Sequence, residues 1–169
     1  VLASGVRKLV LFNTHGGNTG LMDVVARDWR NRLGMLVYST SWFNLPLLEA
    51  DGKDAMERFP AAEQRFGVHG GQVETSMMLA LKPRLVRQSR FKSFASTSEQ
   101  RARDYPTLGN GRSAKLAWAA QDLNPEGAAG NAAAADLEDG LALIDAAGRA
   151  LATLLREVDR LPANTLRPV

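Results

Sequence analysis

With 169 residues and 45% hydrophobic content, the chain is long enough to bury one substantial core and has the composition of an ordinary soluble domain. The absence of cysteine excludes a disulfide framework and thiolate chemistry, fits a reducing, cytoplasmic setting, and leaves any metal to nitrogen and oxygen ligands. A formal charge of +3, from 21 Lys+Arg against 18 Asp+Glu, is too slight to point to nucleic acid, and no apolar run has the length to span a bilayer.

The first residues, VLASGVRK, carry charge too early for a secretory segment and read as the tail of a helix, so we expect chain upstream of Val1. Lys8 to Phe12, KLVLF, is a short apolar run suited to a buried strand. After a Gly-rich turn, Leu21, Val24, Val25 and Trp29 recur at helical spacing, and beyond Gly34 a second strand follows at Met35 to Ser39. Strand, helix and strand make a βαβ unit with parallel pairing, whose sites collect at the carboxyl ends of strands. Leu45 to Phe59 suggests a loop with a short helix. A helix with apolar positions Val73, Met77, Met78 and Leu81 runs until Pro83, and residues 88 to 113 look irregular. A Gly/Pro loop around AWAAQDLNPEGAAGN precedes the clearest helix, with Leu137, Leu141, Ile144, Leu151, Leu155 and Val158 on one stripe and Pro162 after its end.

The chain has two histidines, each followed by two glycines: His15 in NTHGGN and His69 in VHGGQ. A histidine turn at the end of a buried strand suits a metal ligand, because glycines let backbone come close to a metal or substrate. A Gly-rich turn with a surface histidine, and Asn18 or Thr19 as a helix cap, would look the same. Glu74, five residues after His69, is either a functional carboxylate or an ordinary first-turn residue of its helix. The twinned pattern favours a site containing both turns. Phosphate-loop, G-x-S-x-G and H-E-x-x-H signatures are missing. The basic run Lys82, Arg84, Arg87, Arg90 and Lys92 reads as a solvated rim or subunit contact rather than a nucleic-acid face, and Met77 and Met78 read as core.

RKLVLFNTHGGN and HGGQVETSMMLALKPRLV, with Ser41-Trp42 after the second strand, resemble the creatininase (creatinine amidohydrolase) family, and the likeness covers nearly the whole chain. The resemblance implies an α/β fold, a three-layer α/β/α sandwich with a mostly parallel sheet, whose amino-terminal strands this chain lacks. Residues 1–169 would then be the carboxyl-terminal part of one domain. It implies metal-dependent hydrolysis of a C–N bond in a cyclic amide or formamide, using Zn or Mn, with Fe also accepted by such ligands. By position, His15 matches a metal ligand, His69 the catalytic histidine, Glu74 a supporting carboxylate, and Trp42 an aromatic of the substrate pocket, with Gly70 and Gly71 as close backbone contacts. The implied partners are a small-molecule amide and further copies of the chain, with neither nucleic acid nor membrane.

Departures from the pattern limit this. Gly17 stands where creatininase has a metal-ligating Glu, Gln72 where several relatives have Glu, and Arg65 where creatininase has a second pocket Trp, which argues against creatinine itself. The family's other metal ligands lie upstream of this segment, so the expectation is a metal-poor, inactive chain when alone, with a non-catalytic binding or assembly subunit as the alternative.

Overall fold

The computed structural model describes residues 2–167. In chain order its elements are β1 (Lys8–Asn13), α1 (Thr19–Leu33), β2 (Leu36–Ser41), α2 (Ala61–Phe66), α3 (Gln72–Leu81), β3 (Ser93–Phe94), α4 (Thr97–Asp104), α5 (Ala120–Leu123), β4 (Gly130–Asn131) and α6 (Leu137–Arg160), with short 3-10 turns between them. Residues fall into two compact units, one of 1–48 with 146–169 and one of 49–145.

The first unit holds the expected βαβ motif. β1 and β2 pair in parallel from Lys8 opposite Leu36 to Asn13 opposite Ser41. α1 ends at Gly34, whose φ of 63° is left-handed and whose N–H reaches Arg30 O. Glycine reverses the chain there without a Cβ penalty, and β2 begins two residues later. Ala26, Met35, Leu36, Leu45, Leu47, Ala146, Ala150 and Val158 are buried. Lys8 Nζ donates to the carbonyls of Val158 (3.0 Å), Asp159 and Leu161 (2.7 Å), so the first strand carries a cation to the carboxyl end of α6. The beginning that reads as a helix tail is a 3-10 turn over Leu2–Ser4.

In the second unit β3 and β4 form a two-residue antiparallel pair, and an isolated bridge joins His69 to Ala129. Residues 88 to 113 are more ordered than expected, for they contain β3 and α4. The helix starts where Ser96 Oγ accepts from Ser98 N, within a Ser-Thr-Ser-Glu stretch that is a recognisable start signal. Among the described residues no helix is long and apolar enough to cross a membrane.

Two helices bury faces shifted from those expected; of the expected stripes, Val73 and Val158 are buried. On α6 the buried positions are Leu143, Ala146, Ala150 and Val158, while Leu137, Leu141 and Leu155 are exposed. Neighbouring helical positions lie about 100° apart, so the buried face is offset by roughly one residue from the leucine stripe. Beside Leu143 it carries the small residues Gly140, Ala146 and Ala150, which a count of large apolar side chains passes over. On α3, Val73, Ser76 and Leu79 are buried, Met77 is half-buried, and Met78 and Leu81 are exposed. Ser76 is wholly buried, its Oγ accepting from Asp136 N, and Gly140 lies so close that a Cβ there would collide with the Ser76 carbonyl.

In the first unit, Lys8→Met should lower the unfolding free energy by about 1.5–3 kcal/mol in urea titrations, the range for hydrogen bonds from a charged donor. In the second, Arg58 bridges Glu49 (2.7 and 2.8 Å) and Asp139 (3.2 Å). Hydrogen bonding to Arg58 holds the Glu49 carboxyl below its ordinary value of 4.5. A lowered folded-state value contributes stability above the unfolded value and loses it as pH falls through the folded one. Arg58→Ala should therefore shrink the loss of stability between pH 7 and pH 3.5, compared by urea unfolding at the two values.

Candidate active site

In the first unit the parallel pair ends at Asn13 and Ser41, and the candidate residues lie just beyond: His15 after β1 and Trp42 after β2. Asn13, only 3% exposed, organises this edge. Its Nδ2 donates to Ser41 Oγ at 2.9 Å, and its Oδ1 accepts from His15 N at 3.1 Å and from Asn18 Nδ2 at 3.3 Å. Asn18 thus caps no helix with its side chain, while Thr19 Oγ1 donates to Gly16 O. Trp42 is half-buried and meets Phe43 edge-on at 5.7 Å.

His15 is exposed and caps a 3-10 turn over Gly16–Asn18, its Nδ1 accepting from Gly17 N at 3.2 Å. In the neutral ring this places the proton on Nε2. Binding a cation through Nε2 requires the ring to release Gly17 and move the proton to Nδ1, the arrangement in which ligating histidines donate from their second nitrogen. Gly17 allows the present pose, because a Cβ there would lie 3.0 Å from His15 Cε1.

The second unit brings His69, Gly70, Gly71 and Glu74 together as one hydrogen-bonded turn. His69 N donates to Ala129 O (3.1 Å) and Ala129 N to His69 O (2.7 Å). Gly70, at φ 63°, turns the chain where a side chain would be strained, and its N–H donates to Glu74 Oε2 at 2.7 Å. Thr75 Oγ1 closes on Gly70 O, and Thr75 N on Gly71 O. Glu74 therefore spends one oxygen on holding the histidine turn against the start of α3.

Two residues of this neighbourhood carry no motif. Trp118 stands beside His69, ring centroids 6.3 Å apart and planes at 61°. Arg65 donates to Gly109 O at 2.9 Å and so ties down the loop leading to Trp118. Glu63, on α2, is 8% exposed and accepts from Gln72 N (2.6 Å) and Asn131 N (2.9 Å). A lone Glu on a short polar helix gives no signal of this in sequence.

Among the described residues no three His, Asp or Glu side chains stand close enough together to hold a metal ion. One imidazole is short of the three or four ligands of a catalytic site, so the donors these residues assemble do not fit a catalytic divalent ion.

Residues 1–155 match the family described as Creatininase: Creatinine amidohydrolase. The chain belongs to the creatininase family. No curated protein gives a significant match. Solved structures share its fold: a proposed creatinine amidohydrolase of Bacteroides fragilis NCTC 9343, 22% identical over 96% of this chain and 58% of that one, with a TM-score of 0.70; a manganese creatininase, 22% identical over 92% and 58%, TM-score 0.60; and a mutant creatininase of Zn-Zn type, with the same identity and coverage, TM-score 0.55. The chain spans 58% of the length of each of these relatives. The creatininase-like α/β fold with a small parallel sheet is thus the one the resemblance implies.

Asn13→Ala should destabilise the protein by about 1–3 kcal/mol, because it strips partners from a part-buried N–H and a buried hydroxyl. It should also shift the His15 ring signal in NMR spectra while leaving the His69 signal in place.

Proposed function

We propose that this creatininase-family protein takes part in the hydrolysis of a C–N bond in a cyclic amide or formamide, with His69 as the group that moves the proton. The observation that carries this is the His69–Ser76 segment: it keeps the family's motif and is folded as one turn, hydrogen bonded to Ala129 on one side and to the start of α3 on the other. In hydrolysis, water adds to the carbonyl carbon, the C–N bond breaks, and the departing nitrogen takes a proton. Imidazole is the side chain best matched to giving that proton near neutral pH. Gly70 and Gly71 let a substrate approach the backbone beside it, and Glu74 holds the turn; the part of Trp42 as a pocket aromatic rests on the family resemblance alone. The small substrate, the cytoplasmic setting and assembly as a homo-oligomer belong to the same proposal, supported by the family resemblance and, for the compartment, the cysteine-free composition.

The metal is part of the proposal as a divalent ion, manganese or zinc, on the strength of the manganese and Zn-Zn forms of solved creatininases. His15 is the ligand we assign to it. The remaining donors must be ones that the described residues do not bring together, so the 169-residue chain on its own should bind Mn²⁺ or Zn²⁺ weakly and turn over no amide. Equilibrium dialysis of this chain that gave one tightly held ion per molecule would contradict that. In a form of the protein that binds metal and hydrolyses amide, His15→Ala should lose both together. His69→Ala should keep its metal and lose about 10²–10⁴-fold in kcat, the range for removing a general acid or base. Metal analysis beside amide-hydrolysis kinetics separates the two, and a His69→Ala protein of normal kcat would end the assignment.

A further inference from the structure

We propose that Glu63 is the positioning residue of the His69 turn. The inference rests on the reading of His69 as the proton-moving group, but its structural half stands by itself. Glu63 is buried, and among the described residues no basic side chain pairs with it. Its oxygens are divided between two segments distant in sequence: Oε1 accepts from Gln72 N at the start of α3, and Oε2 from Asn131 N in β4. These segments flank the His69–Ala129 bridge, with Gln72 three residues after His69 and Asn131 two after Ala129. One carboxylate therefore clamps both strands of the bridge that carries His69.

The glycines around it show that the space is shaped for this group. A Cβ at Gly67, Gly71 or Gly130 would collide with the Glu63 carboxylate, and Gly130 has a φ of 133°, which side chains rarely adopt. The Glu63 main-chain carbonyl accepts from Gly67 N at 2.7 Å, the bond that closes the carboxyl end of α2. Both contacts require an acceptor. A glutamine in this place keeps the shape but turns one oxygen into an NH₂ group facing an N–H, which breaks one side of the clamp.

The test uses the full 169-residue chain and its Glu63→Gln variant, with Leu123→Ala as a control for loss of buried packing in the same unit. Amide hydrogen exchange is read at His69 and Ala129, which bond to each other and not to Glu63. The ring signals of the two histidines are read by NMR. Glu63→Gln should speed exchange at both amides at least tenfold and move the His69 ring signal, leaving the His15 signal unchanged. Leu123→Ala, at an equal or larger drop in Tm, should do neither. Unchanged exchange and ring signal in Glu63→Gln would overturn the proposal, as would the same changes in Leu123→Ala. If Glu63→Gln does not fold, Glu63→Asp, which keeps the charge but shortens the reach, is read the same way. In the catalytically competent protein, Glu63→Gln should lower kcat at least tenfold with KM changed less than threefold. A wild type that hydrolyses no amide would remove the catalytic reading of His69 while the exchange result still decides whether Glu63 positions it.

Discussion

A carboxylate taken out of water needs hydrogen-bond donors to replace those it leaves behind. Glu63 finds them in two backbone amides, and much of the second unit is arranged around that requirement. The start of α3 and the short strand β4 each donate to one of the Glu63 oxygens, and the glycines at 67, 71 and 130 leave the room a Cβ would take from the carboxylate. Hydrogen bonds to an ionised acceptor are roughly twice as strong as neutral ones, so the arrangement favours a single geometry. The His69 turn lies inside it and takes its shape from groups whose partners are already committed.

The features legible in sequence were local ones. The βαβ unit could be read because KLVLF, the helical spacing from Leu21 to Trp29 and the Gly34 stop lie within one stretch and act on near neighbours. The start of α3 after His69 and its end before Pro83 were visible for the same reason. Clues that depend on distant partners stayed hidden. Glu63 meets Asn131 across 68 positions, and no periodicity announces that meeting. The buried face of α6 is hard to read because Ala146 and Ala150 mark much of it, while Leu137, Leu141 and Leu155 sit in solvent. α4 has a readable cap at Ser96, yet the arginines and serines around it have the composition of a loop.

At the candidate site the sequence named residue types more securely than duties. His69 is held through its backbone, by the bridge to Ala129. Glu74, matched to a supporting carboxylate, supports in the literal sense of bonding the turn. His15, the ligand implied by the resemblance, has its Nδ1 engaged with Gly17, so the ring as it stands is a turn-former that must reorient before it serves a cation. That tautomer is set by a backbone hydrogen bond, which residue identity alone does not reveal.

Asn13 has a consequence that extends past its own bonds. Through one amide group it fastens the hydroxyl at the end of the neighbouring strand and the backbone of the turn that follows its own. The chain beyond β1 and the chain beyond β2 are therefore geared to each other: a displacement of the imidazole's turn is carried through a buried amide to the segment that bears the indole. Moving either strand end without the other therefore means breaking a hydrogen bond of the Asn13 amide.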